Sequence, residues 1–261
     1  MSGNNLPFMN QLKTRLTTLV AVLIAGLAAN AQSQISAAGP PGWNAAMTKL
    51  FGDIKAFTAK ADIRVSDRAG KESIRLPMGF SFLEGKVRLD IDMTEMKGPA
   101  ASAEAIAGLK QMAMDRMACV VLPEKKSMQI IYPALTGYVE VPLPEEESAA
   151  LDRNLKTDKT PLGKEAIDGH PCAKNRVTLT DDRGQKLEFI VWNAADLKDF
   201  PLQAQMNDKE TIVVTRFRAV QFGKPDARHF EAPDGYTRHS DFLRLMQAAT
   251  QKTSAKSGGK K

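Results

Sequence analysis

The feature that most constrains the fold is the stretch from Thr160 to Tyr236, where short runs rich in Val, Ile, Thr and Phe alternate with turn signals. The clearest turn signals are Asp168-Gly169 and Asp182-Arg183-Gly184. An Asp-Gly pair between two such runs is typical of a β-hairpin, because the twist of its turn matches that of the flanking strands. The pattern therefore predicts a meander of antiparallel strands. It does not by itself indicate a reaction.

The first half of the chain predicts a second meander that follows a helix. Apolar residues at helical spacing indicate a helix over Trp43–Ile54. Alternating apolar residues then predict three strands, Phe57–Val65, Glu72–Leu83 and Val87–Met93. This meander is expected to have one apolar face, because side chains alternate between the two faces of a strand.

An Ala-rich segment without proline, Ala100–Met117, predicts a helix inserted after this meander. Its methionine-rich stripe fits ordinary core packing, or a surface for varied apolar ligands, since the methionine side chain is adaptable. The elements predicted further along the chain are the hairpin strands Cys119–Leu122 and Ser127–Tyr132, a short strand Thr136–Val141, a helix Pro144–Leu155 and a terminal helix Ser240–Ala249.

Residues 1–31 have the organisation of a secretory signal peptide. Lys13 and Arg15 precede the uncharged run Leu16–Ala28, and Ala29-Asn30-Ala31 supplies small residues for cleavage. The run is shorter than the ~20 residues that a membrane-spanning helix needs, which disfavours the alternative of an anchor. We therefore expect an exported protein, periplasmic or secreted, that is soluble after cleavage. Residues 32–42 are predicted to be a linker and residues 43–250 a single domain.

The basic excess of the chain, 36 Lys and Arg against 30 Asp and Glu, lies at its two ends. The signal segment and the Lys-rich tail, residues 251–261, hold the surplus, so the body of the protein is neutral. A neutral body disfavours a nucleic-acid partner. The tail is predicted to be a disordered, solubilising end, with weak contact to an anionic membrane surface as the alternative.

The two cysteines, Cys119 and Cys172, each lie at the start of a predicted strand. An oxidising compartment allows them to form a disulfide, which would contribute ~4 kcal/mol in the chain-entropy model. The alternative is two separate buried thiols that pack as small apolar side chains.

Motifs for common enzyme chemistry are absent from the sequence. It contains no Gly-x-Ser-x-Gly elbow, no His-Glu-x-x-His, no P-loop and no dinucleotide-binding glycine pattern. The histidines His170, His229 and His239 lack the spacing of metal ligands. We therefore expect a non-enzymatic protein with no metal and no cofactor.

Three short motifs carry a family resemblance: Glu165–Cys172 (EAIDGHPC), Val191-Trp192 with the downstream Asp196-Leu197 and Phe200-Pro201-Leu202, and the closing segment Phe230–Tyr236. With the order of predicted elements, they resemble the LolA/LolB-like superfamily of exported lipoprotein carriers. The resemblance is closest to a branch of exported bacterial proteins of unknown function.

The resemblance implies an α+β fold, in which helices cover the concave face of a strongly curved antiparallel half-barrel sheet. In the carriers that cavity receives acyl chains, and a particular arginine holds the covering helix. Arg64, Arg75 and Arg88 lie on predicted strands, and alternation leaves open which of them faces inward.

The leading hypothesis is an exported protein that binds or carries a lipid or other apolar ligand in a cavity under Ala100–Met117. The alternative is a structural or protein-interaction module of the cell envelope, with a fully packed core and partners at an edge strand or the tail. The predicted cavity lining consists of alternate strand residues, residues of the inserted helix and one aromatic residue at a strand end: Ile63, Val65, Phe80, Phe82, Leu89, Ile91, Leu109, Met112, Met117 and Trp192.

Overall fold

The structure, a computed structural model, describes residues 43–99, 101–152, 155–208 and 211–257. The predicted signal peptide, the linker and residues 258–261 of the predicted tail lie outside the described residues. The helices are α1 Trp43–Leu50, α2 Ala103–Gln111, α3 Glu145–Asp152 and α4 Phe242–Ser257. The strands are β1 Ala56–Asp67, β2 Glu72–Leu83, β3 Lys86–Asp92, β4 Arg116–Leu122, β5 Ser127–Tyr132, β6 Gly137–Pro142, β7 Lys156–Ile167, β8 His170–Thr180, β9 Lys186–Ala194, β10 Phe200–Asp208, β11 Thr211–Phe222 and β12 Thr237–His239.

The strands form one curved, unclosed sheet in the order β12-β6-β5-β4-β3-β2-β1-β11-β10-β9-β8-β7. All neighbouring strands are antiparallel except β12 and β6, which pair in parallel over three residues. The predicted meanders are confirmed, since β1 to β6 and β7 to β11 each pair in sequence order. The pairing of β1 with β11 joins the two meanders, and sequence patterns alone did not predict it.

The register divides the sheet into two faces, because directly paired residues point to the same face. We call the face that carries Ala61 the inner face. Phe217 on β11 and Met78 on β2 are paired with Ala61 and share this face. The outer face carries Asp62, which is paired with Arg216 and Pro77.

A cluster of phenylalanines packs on the inner face around Phe51, which lies just after α1 and is 2% exposed. Its ring centroid lies 4.8 Å from that of Phe57, 5.0 Å from that of Phe82, and 5.9 Å from those of Phe80, Phe200 and Phe217. Most of these pairs are edge-to-face, an arrangement that contributes beyond simple burial. This part of the inner face is therefore filled by side chains.

The helix predicted over Ala100–Met117 is much shorter in the structure. Ser102 caps α2 by accepting a hydrogen bond from the backbone N–H of Ala105, and Ala113 leaves the helical conformation with φ 55°. Met117 belongs to β4, where it pairs with Ile91. The prediction was wrong here because strand pairing outweighs the helix propensity of Ala and Met.

The terminal helix α4 extends beyond its predicted end at Ala249. It continues to Ser257, so the segment Gln251–Ser257 is helical where the sequence predicts a disordered tail. Neither Gly nor Pro interrupts Gln251–Ser257, so the sequence contains no signal to end the helix at Ala249.

Candidate functional site

A cavity of about 800 Å³ opens at the end of the sheet where the turn after α1 approaches the β9–β10 turn and the end of β11. This volume lies within the range of small-molecule sites in proteins. The lining residues come from the segment after α1, from β7, from the β9–β10 turn and from the end of β11: Leu50, Phe51, Gly52, Asp53, Ile54, Lys55, Ala56, Lys159, Asn193, Lys198, Asp199, Phe222, Gly223 and Lys224.

The floor of this cavity is apolar. Leu50, Ile54 and Phe222 are half-buried and pack against the main core, and Phe51 is buried within it. The cavity therefore borders the phenylalanine cluster directly, so an apolar group placed there would continue the core of the protein.

The rim of the cavity is basic. Four exposed lysines, Lys55, Lys159, Lys198 and Lys224, surround it, whereas Asp53 and Asp199 are its two acidic residues. The ammonium group of Lys198 lies 4.8 Å from the centroid of the Phe222 ring, which places a cation over the face of an aromatic ring. The site thus combines an apolar floor with a net positive edge.

Buried amide side chains hold the β9–β10 turn in place. The side-chain amide of Asn175 donates to Oδ1 of Asn193 at 3.2 Å, and the amide of Asn193 donates to the backbone oxygen of Asp199 at 2.9 Å. Asn175 and Asn193 are 5% and 6% exposed. The turn residues Lys198 and Asp199 both have φ 56°, a left-handed conformation that non-glycine residues rarely adopt. The chain therefore fixes Lys198 at the rim despite local backbone strain.

Gly52 gives the turn after α1 its shape. Its φ is +59°, and no atom lies within 4 Å of where a Cβ would be, so the backbone conformation rather than crowding requires glycine here. The turn brings Phe51 into the core and Lys55 to the rim of the cavity.

None of the ten residues predicted from the sequence to line a cavity lines this one. Seven of them lie on strands and share the inner face by register: Ile63, Val65, Phe80, Phe82, Leu89, Ile91 and Met117. Leu109 in α2 and Met112 directly after it join the same apolar core. The structure brings these nine residues together in its apolar core, and the lysine-rimmed cavity lies beyond them.

Trp192 lies on the opposite face of the sheet. It pairs with Gln203, which pairs with Arg216 on the outer face. Its indole N–H donates to Oε2 of Glu165 at 2.9 Å, and Nζ of Lys174 lies 4.8 Å from its ring. Trp192 therefore packs under polar side chains of β7 and β8.

Cys119 and Cys172 are both free and buried, so the predicted disulfide is not formed. Cys119 on β4 pairs with Leu89 on the inner face. Strand alternation from Lys174, the partner of Trp192, places Cys172 on the outer face of β8. The thiols thus lie on opposite faces, separated by six strands in the sheet order. Burial raises the pKa of the Cys119 thiol to about 12.

The three strand arginines considered for holding a covering helix do not share the face of the apolar core. Arg64 pairs with Arg75, and Arg88 pairs with Ser81, all on the outer face. None of them lies on the face that the resemblance assigned to a ligand.

A serine, a histidine and an aspartate lie close together on the outer face, and no sequence motif predicted this arrangement. Nε2 of His229 lies 3.3 Å from Oγ of Ser81 and 3.9 Å from Oδ2 of Asp90. Burial, and then the charge of Arg88, lower the pKa of His229. Both partners face the same ring nitrogen, whereas the carboxylate of a catalytic triad lies on Nδ1 and orients the base.

Across the described ranges, no group of three or more His, Cys, Asp or Glu residues is arranged to hold a metal ion.

Sequence comparison identifies the family. Residues 73–209 match the family described as "Domain of unknown function (DUF4412)", and the chain belongs to it. No curated protein matches this sequence.

Two solved structures illustrate the structural likeness. A LolA superfamily protein from Nitrosomonas europaea is 13% identical, with 71% of this chain and 96% of that chain covered and a TM-score of 0.36. The lipoprotein LppX from Mycobacterium tuberculosis is 12% identical, with 70% and 97% covered and a TM-score of 0.38. The family match confirms the predicted resemblance to a branch of proteins of unknown function. TM-scores this low carry no argument about what the present chain binds.

Among the residues that the structure describes, no helix is both long enough and apolar enough to cross a membrane.

The sequence did not reveal the rim lysines because they come from four separate segments. Lys55 and Lys224 meet only because β1 pairs with β11, a contact between distant parts of the chain. The one local signal was the turn before Phe200, where Lys198-Asp199 separates two strand patterns.

Proposed function

We propose that this protein binds an apolar molecule with an anionic head group in the cavity after α1, and that it does so as an exported, non-enzymatic carrier or binding protein. The acyl or other apolar part lies against Leu50, Ile54 and Phe222. The carboxylate or phosphate lies among the rim lysines. This keeps the lipid-binding hypothesis and moves the ligand from beneath the inserted helix to the end of the sheet.

The observation that carries the proposal is the pairing of an apolar floor with a lysine-rich rim in one cavity of about 800 Å³. Removing apolar surface from water would supply the affinity, at about 25 cal/mol per Å². The exposed lysines would add charge attraction and orientation, each about 0.2–1 kcal/mol because solvent screens surface ion pairs. The phenylalanine cluster fills the neighbouring part of the inner face, so it leaves no room there for an acyl chain.

Replacing the rim residues Lys55 and Lys198 together by alanine is expected to weaken binding of a fluorescent fatty acid, 11-(dansylamino)undecanoic acid, by about tenfold. The reason is that two charge contacts, each of up to about 1 kcal/mol, are lost. Fluorescence titration at low and high salt measures the effect. The loss should shrink at high salt, where charge attraction is screened.

The matched control is Lys186→Ala, which removes an exposed lysine at the start of β9 outside the cavity. It should bind the probe as the unmodified protein does. Absence of saturable probe uptake by the unmodified protein, or equal losses in the control, would argue against the proposal.

A second candidate function, protein interaction at an edge strand, is favoured by β7. All of its residues except Ile167 are exposed, and β8 is the one strand among the described residues that pairs with it. Such an edge offers unpaired backbone groups to a partner strand. The register shift between Pro161 and Gly163 divides β7 into two regularly paired segments, and Asp158 lies in the first of them.

If β7 is the interaction surface, a photo-cross-linker in place of Asp158 should give one defined adduct in cells. The same group in place of Glu188, on the interior strand β9, should give none. Equal patterns at the two positions, or no adduct at Asp158, would contradict edge-strand recognition.

A further inference from the structure

A cluster of four arginines on the outer face lies apart from the lysine-rimmed cavity. We call Arg64, Arg75, Arg216 and Arg218 the arginine cluster. They come from three adjacent strands, β2, β1 and β11, and they surround two carboxylates, Asp62 on β1 and Asp168 in the turn between β7 and β8.

Asp62 organises one side of this cluster. Its side chain is 1% exposed, and it accepts from Nη2 of Arg75 at 2.7 Å, Nη2 of Arg64 at 3.2 Å and Nη1 of Arg218 at 3.3 Å. One buried carboxylate thus holds three guanidinium groups in fixed positions. Such preorganisation lowers the conformational cost of binding a further anion.

Asp168 organises the other side. Its Oδ1 lies 2.7 Å from Nη2 of Arg216, and its Oδ2 accepts from Nε of Arg216 at 2.9 Å and from Nε of Arg218 at 3.2 Å. Arg218 therefore bridges the two carboxylates. Among the described residues, the four arginines of the cluster carry four positive charges, and the two carboxylates that they contact carry two negative charges.

Like charges also lie directly opposite each other on the paired strands of this cluster. Arg64 is directly opposite Arg75, and Arg218 is directly opposite Lys60. Like charges at directly opposed positions destabilise a sheet. In addition, Nε of Arg64 is buried and has no hydrogen-bond partner among the described residues. Two opposed like-charge pairs and an unused donor are unfavourable for the fold alone.

The four side chains remain accessible to a ligand, with exposed fractions of 34% for Arg64, 36% for Arg75, 20% for Arg216 and 38% for Arg218. A guanidinium group offers planar, paired N–H donors that match the oxygens of phosphate. A phosphate has enough oxygens to accept from several of these groups at once, and a charge near −2 equals the surplus.

We propose that the arginine cluster is a second binding site of this protein and that it takes a phosphate group. The group is either that of a small phosphate ester or that of an anionic phospholipid head group at a membrane surface. The site lies on the outer face and is independent of the proposed cavity ligand.

The test begins with the unmodified protein and inorganic phosphate. In NMR spectra of protein labelled with ¹⁵N-arginine, saturable shifts are expected for the side-chain N–H signals of the arginine cluster, and none for Arg176, an outer-face arginine of β8 paired with Glu188 at 3.4 Å. Uniform shifts at all arginines, or none at the cluster, would overturn the proposal without any variant having to fold.

Two substitutions then locate the site. Arg64→Gln and Arg216→Gln are each expected to weaken phosphate binding by about tenfold, since a hydrogen bond to a charged group is lost. Arg64→Lys should restore part of it, and Arg176→Gln should change nothing. Equal affinity in all four variants would contradict the assignment.

Two further binding experiments distinguish a lipid head group from a small phosphate ester. Stronger binding to vesicles of phosphatidylglycerol than of phosphatidylcholine, lost in Arg216→Gln, would identify a lipid head group. Binding of glycerol 1-phosphate without vesicle binding would identify a small ester. Displacement of phosphate by a polyglutamate peptide at lower concentration than by glycerol 1-phosphate would instead identify an acidic protein partner and overturn the phosphate assignment.

Discussion

Replacing Phe51 by alanine is expected to destabilise the protein by about 3–5 kcal/mol, the usual cost of removing a buried aromatic side chain. The ring is 2% exposed and contacts five other phenylalanine rings that come from β1, β2, β10 and β11. Its removal takes away the one ring of the cluster that is anchored outside the sheet. Urea unfolding followed by circular dichroism measures the change.

The matched control is Leu243→Ala, because Leu243 is 63% exposed. Its effect should stay within about 0.5 kcal/mol, as for most surface substitutions. A loss below 1 kcal/mol for Phe51→Ala would mean that the segment after α1 contributes little packing to the inner face. In that case the inner face would again be open to a ligand.

Replacing Asp62 by asparagine is expected to cost about 3 kcal/mol, because it leaves three guanidinium groups around a buried neutral amide. Breaking a buried ion pair typically costs about 3–5 kcal/mol. The lower value applies because the arginines are each about one-third exposed and water screens part of their repulsion. Asp182→Asn, in an exposed turn, serves as the control and should have little effect.

The same carboxylate predicts a pH dependence. Burial raises the pKa of Asp62, but hydrogen bonds from Arg75, Arg64 and Arg218 outweigh burial and lower it to about 2, from the usual 3.8. Because the folded-state pKa is the lower one, the stabilisation is complete above pH 4 and is lost as pH falls towards 2. It amounts to about 2 kcal/mol.

The unmodified protein should lose this stabilisation between pH 4 and 2. The Asp62→Asn variant has no carboxylate to protonate at this position, so its stability should fall by about 2 kcal/mol less over the same range. An identical acid profile for the two proteins would contradict the ion-pair geometry.

Local patterns predicted most of the strands because each depends on neighbouring residues. The limits of β2 were predicted as Glu72–Leu83 and observed there. Asp168-Gly169 forms the turn between β7 and β8, with φ 49° and 85°. The alternation of Val87, Leu89 and Ile91 gives three buried residues on β3, as predicted. Period and turn chemistry suffice for such elements.

What the sequence did not predict depends on contacts between distant segments. Helix propensity predicts that the helix continues as far as Met117. In the structure Met117 pairs with Ile91 and belongs to β4. The face of Trp192 and the separation of the cysteines follow from register, which no single segment specifies. The lysine rim and the arginine cluster both need the β1–β11 pairing, so neither was visible in the linear pattern.

The most direct test of the proposed cavity is a crystal structure of the protein with 12-bromododecanoate, whose bromine is located by anomalous scattering. The proposal predicts bromine density beside Ile54 or Phe222, with the carboxylate among Lys55, Lys159, Lys198 and Lys224. Bromine density beside Leu109 and Met112, or none at saturating ligand, would contradict it.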